Sequence, residues 1–220
     1  MAVDTPLTWS VVIPVKVLAI AKSRLAGLDD ADRRALALAM AADTVAAAVA
    51  CPLVGAVVVV SDDPAVAATV APLGAVAVAD TPGAGLNRAL AAGAQHAAER
   101  WPGHGLAALL ADLPALSARE LTAALTAAAG VPAQAFVADA AGSGTTLYTA
   151  RPGVPFLPQF GPRSRTLHQR AGATELNPPG IAGLRQDVDT LADLRAAAAI
   201  RLGRRTTALE KADRLRAGRS

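Results

Sequence analysis

The run Val11-Val12-Ile13-Pro14-Val15-Lys16 decides how this chain folds. Val11 to Ile13 are apolar and β-branched without interruption, as in a strand buried on both faces, and Pro14 ends the strand. A basic loop carrying Lys16, Lys22 and Arg24 follows. In an open α/β sheet, ligands bind just past the carboxyl ends of strands. Three cations at that place predict a site for a highly anionic ligand such as a nucleoside triphosphate.

Outward from this run, strand and helix patterns alternate. Residues 9–14 form the first strand. Asp30 can cap a helix over 31–50, with Leu36, Met40 and Val45 inward. Residues 55–60, a continuous apolar run rich in valine, read as a second buried strand. A short helix starts at Pro64, a third strand spans 75–79 and a helix spans 86–100. Residues 106–111 form the fourth strand. Ser117 and Glu120 make a capping box for a helix reaching Ala129. Residues 135–138 and 145–149 flank a Gly-Ser-Gly turn as an antiparallel pair. Residues 151–162 form a loop, 163–172 a short helix and 184–188 a final strand, with a helix from Thr190. The pattern predicts an α/β domain with a mostly parallel sheet and an antiparallel addition. Residues after Gly203 are expected to be a frayed helix or disordered.

Composition narrows the class. The chain has 220 residues, 53% of them hydrophobic but only 3% aromatic, so Ala, Val and Leu must build the core. Net charge is +3, with many cations in the last stretch. A basic tail can bind nucleic acid, but stacking aromatics and a dense basic stripe are missing, which argues against that partner. One cysteine, Cys51, excludes a disulfide framework and a cysteine-based zinc site. Apolar runs break off before the about 20 residues of a membrane span. A soluble cytoplasmic protein without membrane partners is expected.

The candidate chemistry lies mostly at predicted strand ends. Asp112 follows Leu109-Leu110-Ala111, where a carboxylate can hold a divalent cation or merely serve a turn. Asp187 and Asp189 share one face of the predicted final strand, with helix capping as the alternative. Magnesium commonly takes one or two carboxylates plus substrate phosphates, which Asp112 with Asp189 would provide. The loop 80–88 carries Gly85 and Asn87 before a helix. It matches neither the Walker pattern nor the dinucleotide fingerprint. Gly161-Pro162-Arg163-Ser164-Arg165 opens a helix with amides, a hydroxyl and two arginines, a combination that suits a small anion. His96, His104 and His168 have no partners at metal spacing, and none is assigned a catalytic role.

Taken in order, residues 12–16 (Val-Ile-Pro-Val-Lys), 21–25 (Ala-Lys-Ser-Arg-Leu), 85–90 (Gly-Leu-Asn-Arg-Ala-Leu), 111–116 (Ala-Asp-Leu-Pro-Ala-Leu), 144–147 (Gly-Thr-Thr-Leu), 160–164 (Phe-Gly-Pro-Arg-Ser) and 187–190 (Asp-Val-Asp-Thr) resemble the guanylyltransferase family of deazaflavin coenzyme F(420) biosynthesis. The resemblance covers residues 11–194. It implies a Rossmann-like nucleotidyltransferase sandwich that uses GTP as co-substrate and magnesium (Mg2+). By position, Asp112, Asp189 and Asp187 match metal carboxylates. Thr146, Gly161 and Ser164 match positions that hold a phosphorylated three-carbon acid. Lys16, Lys22 and Arg24 match the triphosphate-binding start, with Lys16 also placed in the catalytic set, and Gly85 and Asn87 fall where guanosine is expected. Leu191 replaces a proline common after Asp-Thr, a change that should move a helix start and not the chemistry. The implied domain spans 1–203, with 204–220 a basic tail.

The implied reaction moves GMP from GTP to phosphoenolpyruvate, or to 2-phospho-L-lactate, with release of diphosphate. A phosphate oxygen is the nucleophile and is already anionic, so no side-chain base is needed. That suits a site without an obvious catalytic histidine or cysteine. A labile phosphoenolpyruvate product predicts functional coupling to the next enzyme of the deazaflavin pathway. A nucleotidyltransferase with another nucleotide or acceptor, and a protein that binds nucleotide without turnover, are the alternatives. Oligomeric state is not legible in the sequence.

Overall fold

The computed structural model describes residues 6–16, 28–80 and 85–217. Their seven strands are β1 (Trp9–Pro14), β2 (Val54–Val60), β3 (Val76–Val78), β4 (Gly105–Leu109), β5 (Gln134–Ala138), β6 (Thr145–Ala150) and β7 (Thr174–Glu175). They form one sheet in the order β3-β2-β1-β4-β6-β5-β7. β1 is parallel to β2 and β4, β2 to β3, and β5 to β7. β6 alone runs antiparallel, to β4 on one side and β5 on the other. β5 therefore points the same way as β1, β2 and β4, and all four place their carboxyl ends on one edge.

Helices α1 (Asp30–Val49), α2 (Pro64–Val70), α3 (Leu86–Arg100) and α4 (Ala118–Ala129) connect β1 through β5 in turn. Alternate side chains of a strand face opposite sides of the sheet, and the core divides accordingly. Val11, Ile13, Val57, Val59 and Leu109 pack with Ala41 and Val45 of α1, Val70 of α2 and Leu121 and Leu125 of α4. Val12, Val58, Val60 and Ala108 pack with Ala89, Leu90, Ala94 and Ala97 of α3. A fully buried Val or Leu contributes about 1.5–3 kcal/mol, so a core of small aliphatics suffices without aromatics. At Gly93 a Cβ would collide with Val12 and Val60, so α3 lies closer to the sheet than any larger residue would allow.

Three local expectations need correction. Asp29, not Asp30, caps α1: its backbone is extended and its carboxylate accepts from Asp32 N at 2.8 Å, whereas Asp30 is already helical. The segment read as a final strand contains a single helical turn, α6 (Ala182–Arg185), which follows α5 (Ser164–Arg170) in the chain, and then irregular backbone. Gly183 N is drawn 2.6 Å from Oε1 of the buried Glu120 on α4, which turns the chain there instead of letting it join the sheet. The edge place goes to β7, two residues long and too short to read as a pattern.

Thr190 caps α7 (Leu191–Ile200), so the helix begins at Leu191, where a proline would also fit. Of the two expectations for the residues after Gly203, the structure shows a helix, α8 (Arg204–Ala217), packed along α1. Among the described residues no helix is long and apolar enough to cross a membrane.

Candidate active site

The carboxyl edge of the sheet opens into a cleft of about 510 Å³. Asp112, Asp187, Asp189, Gly161 and Ser164 line it together, although they come from loops up to 77 residues apart (112 to 189). Asp139, Ser143 and Thr145, to which the sequence reading gave no role, also line it, together with Arg163 of the predicted anion segment.

Asp112 stands three residues beyond the end of β4, and its backbone is fixed from two sides. Thr44 Oγ1, fully buried on α1, accepts from Leu113 N at 3.2 Å and lies 3.0 Å from both Ala111 O and Met40 O, with one proton to share between them. From the other side Val188 N donates to Asp112 O at 3.1 Å. This bond, not a strand ladder, brings the Asp187–Asp189 segment against Asp112. Val188 is buried between two carboxylates of lower burial, so Asp187 and Asp189 flank a single anchored residue.

Asp139 was missed, although the rule that found Asp112 applies to it: it directly follows β5 on the same edge. Its carboxylate accepts from Ser143 N and Gly144 N, both at 2.8 Å, and so closes the turn into β6. A Cβ at Gly144 would collide with this carboxylate. Asp187 carries the electrostatic cost of the gathering. Burial first, then the charges of Asp112, Asp139 and Asp189, push its carboxyl up to about 7. Among the described residues no three acidic, His or Cys side chains form a metal-binding cluster by themselves.

The other predicted residues are less directly placed. Thr146 is fully buried and does not line the cleft; its carbonyl takes Leu110 N at 3.0 Å, and its hydroxyl has no hydrogen-bond partner among the described residues. Lys16 is exposed just past β1, outside the cleft lining, and Lys22 and Arg24 lie outside the described residues. Gly85 precedes α3. Asn87, in its first turn, spends its amide on the backbone of Phe160, donating to the carbonyl at 3.0 Å and accepting from N–H at 2.8 Å.

The reading of the 161–165 segment as a free anion cradle needs qualifying on geometry. Ser164 N donates to Gly161 O and Arg165 N to Ser143 O, so two of the amides are already engaged. The Arg165 guanidinium is tied to Glu175 and Gly142 O, each at 3.0 Å. Arg163 remains exposed at the cleft and is the one described residue other than glycine with a left-handed backbone, φ 60°. Such strain persists only where the surroundings enforce it. His96 and His104 lie outside the cleft lining, and Asp63 with Ser61 caps α2.

A family model of the CofC-like guanylyl transferases matches residues 9–160. The chain belongs to this family. Similar curated members are the phosphoenolpyruvate guanylyltransferase of Thermomonospora curvata, 57% identical over 94% of this chain and 90% of its own, and that of Streptosporangium roseum, 51% identical over 96% and 93%. Among solved structures, a Desulfovibrio desulfuricans protein assigned as a nucleotide-diphospho-sugar transferase matches with a TM-score of 0.67 at 17% identity, over 94% of this chain and 96% of its own. The last likeness concerns the fold, which is that of nucleotidyltransferases.

For this CofC-like chain the missed residues have a common origin. Asp139, Ser143 and Thr145 surround the β5–β6 turn, which reads as connection chemistry until the antiparallel β6 turns it toward the same edge as Asp112.

Proposed function

We propose that this protein transfers GMP from GTP to phosphoenolpyruvate, releasing diphosphate and forming enolpyruvyl-diphospho-5'-guanosine. The observation that carries the reading is the convergence of Asp112, Asp187 and Asp189 with Gly161 and Ser164 on one cleft of a CofC-like guanylyl transferase. The names of its similar relatives support phosphoenolpyruvate as the acceptor.

In this reading the acid's phosphate lies by Gly161 and Ser164, with the exposed Arg163 beside it. A phosphate oxygen attacks the α-phosphorus of GTP, and the bond to the bridging oxygen breaks as diphosphate leaves. The Thr146 hydroxyl, buried and without a partner among the described residues, would meet the acid only if the cleft opened toward the start of β6. By the family resemblance, Lys16, Lys22 and Arg24 would meet the triphosphate, and Gly85 and Asn87 the nucleoside. The work of these residues is alignment and charge neutralisation, and no proton need be removed from the nucleophile.

The donor set fits Mg2+. The oxygens are hard, and the crowding that raises Asp187 is the kind a dication relieves. One or two of Asp112, Asp187 and Asp189 would hold the ion, with phosphate oxygens completing its shell. When bound it would neutralise charge on the transferring phosphoryl group. A cytoplasmic location, where GTP and phosphoenolpyruvate are available, and hand-over of the labile product to the next deazaflavin-pathway enzyme belong to the same proposal.

The test is diphosphate release from GTP with Mg2+ and either phosphoenolpyruvate or 2-phospho-L-lactate, with the next enzyme and its acceptor present to trap product. Release with phosphoenolpyruvate alone is expected. Release with phospholactate alone would replace the acceptor and keep the mechanism. CTP in place of GTP should give none.

A further inference from the structure

We infer that His168 is a positioning residue for the acid-binding side of the cleft, acting through Gln159 and Thr145 as a neutral imidazole. The inference rests on the proposed acid site. His168 lies one turn after Ser164 on α5 and is fully buried. Its ring stacks on Tyr148 with centroids 4.8 Å apart, and Phe136 and Phe160 stand 5.4 and 5.8 Å away. These rings come from β6, β5 and the loop before α5.

Both ring nitrogens are used, and their uses fix the tautomer. Gln159 N–H donates to Nε2 at 2.8 Å, so Nε2 carries no proton. The proton is on Nδ1, which donates to Thr145 Oγ1 at 3.0 Å. Burial supports the neutral form by lowering the pKa to about 4. One rigid ring thus joins three stretches that line the cleft: Thr145 at the start of β6, the loop leading through Gln159 and Phe160 to Gly161, and Ser164 on its own helix. Asn87 holds Phe160 from α3, so His168 and Asn87, on two different helices, grip consecutive residues of that loop.

Gln159 N–H and Thr145 Oγ1 are the groups that would lose position if the ring were replaced. An imidazolium could not serve, because a proton on Nε2 would face the Gln159 N–H. The device leaves the nucleotide side untouched, so its signature is selective for the acid.

The experiment compares wild type, His168→Phe and His168→Gln. Phe keeps an aromatic ring in the box and removes both hydrogen bonds; the Gln amide can again accept from Gln159 N–H. His168→Phe should raise KM for phosphoenolpyruvate at least about tenfold, since small misplacements in a bound geometry cost this much or more, with KM for GTP within about twofold. His168→Gln should recover part of the loss. Equal KM shifts for both substrates, or no shift in a folded His168→Phe protein, would overturn the inference. Nitrogen NMR of histidine-labelled wild type gives a reading that needs neither variant to fold. It should show His168 protonated on Nδ1 only, with the Nε2 signal moving when phosphoenolpyruvate is added. A proton on Nε2, or a signal indifferent to a bound acid, would refute it. If wild type binds the acid but does not turn over, the proposed reaction fails while this inference stands on the titration. If wild type binds no acid, both fail.

Discussion

The amide of Val188 meets the carbonyl of Asp112 at 3.1 Å, and through this one bond the two acidic segments of the cleft share a single backbone frame. The main chain around Asp112 is also held by Thr44 on α1. Asp112→Asn keeps the shape of the side chain and leaves this frame in place, so the variant should fold while diphosphate release falls at least about a hundredfold, the usual cost of removing a charge-stabilising group. Comparable GTP consumption by the folded variant would remove Asp112 from the machinery.

Thr44→Val tests the frame itself. Valine fills the same space but strands Leu113 N–H in a buried place, at about 1–3 kcal/mol. For a chain of this size, that is roughly 2–4 °C in melting temperature per kcal/mol. Activity should fall as well, although Thr44 is buried away from the ligand. An unchanged melt with unchanged kcat would mean that Asp112 is placed by other contacts.

Much of this arrangement is legible in the residues. The valine runs at β1 and β2, the capping box at Ser117 and the turn between β5 and β6 each carry a local signal, and the structure follows them. Asp112 is legible in the cleft lining because a carboxylate directly after an apolar run is unusual, and Asp187 and Asp189 because they form a spaced acidic pair just before a helix start. What escapes is anything set by tertiary contact. The 184–188 segment has strand-like apolar residues, but Glu120 captures Gly183 from 63 positions away and bends it into α6. Asn87 reads as a ligand residue, yet its amide is met by a backbone that only folding brings near. What His168 does is not legible, because its partners lie on three separate elements.

The titrations of Asp187 and His168 oppose each other. Asp187 has its carboxyl raised to about 7, well above the ordinary carboxylate range, so the unfolded chain loses its proton first. Its contribution is present below about pH 4 and is lost as pH rises toward 7. His168 is lowered to about 4, so the unfolded chain gains its proton first, and its contribution is lost as pH falls from about 6.5 toward 4. Without divalent cations, Asp187→Asn should flatten the decline of melting temperature toward neutral pH. His168→Phe should flatten the decline toward acid. Melting curves across pH 4–8 check both signs, and an unaltered slope in either variant would contradict the corresponding assignment.

Asn87→Ala separates two roles for one residue. If its amide chiefly holds the Phe160 backbone, the variant should raise KM for phosphoenolpyruvate by about five- to thirtyfold, the worth of one or two hydrogen bonds near 1 kcal/mol each, with little change for GTP. Direct reading of the guanine would show the opposite split. Steady-state kinetics with each substrate varied in turn distinguishes them.

Removing residues 204–220 asks whether they are a tail or a part of the fold. Asp43 on α1 is buried, and its carboxylate accepts from Arg205 N at 3.1 Å and Thr206 N at 2.9 Å, while Thr206 itself has no exposed surface. Just upstream, Gly203 N donates to Pro114 O and the Arg201 guanidinium to Leu116 O, so the same stretch steadies the loop leaving Asp112. Truncation would remove both amide bonds to the Asp43 carboxylate and the packing of α8 on α1, a loss of about 3 kcal/mol or more at about 1.5 kcal/mol or more per charge-assisted bond, or roughly 6–12 °C in melting temperature. Asp43→Asn should cost less, because the amide oxygen still accepts one bond. If the truncated chain instead melts with the full-length protein and turns over GTP equally well, α8 is an appendage, and a domain boundary at Gly203 is correct.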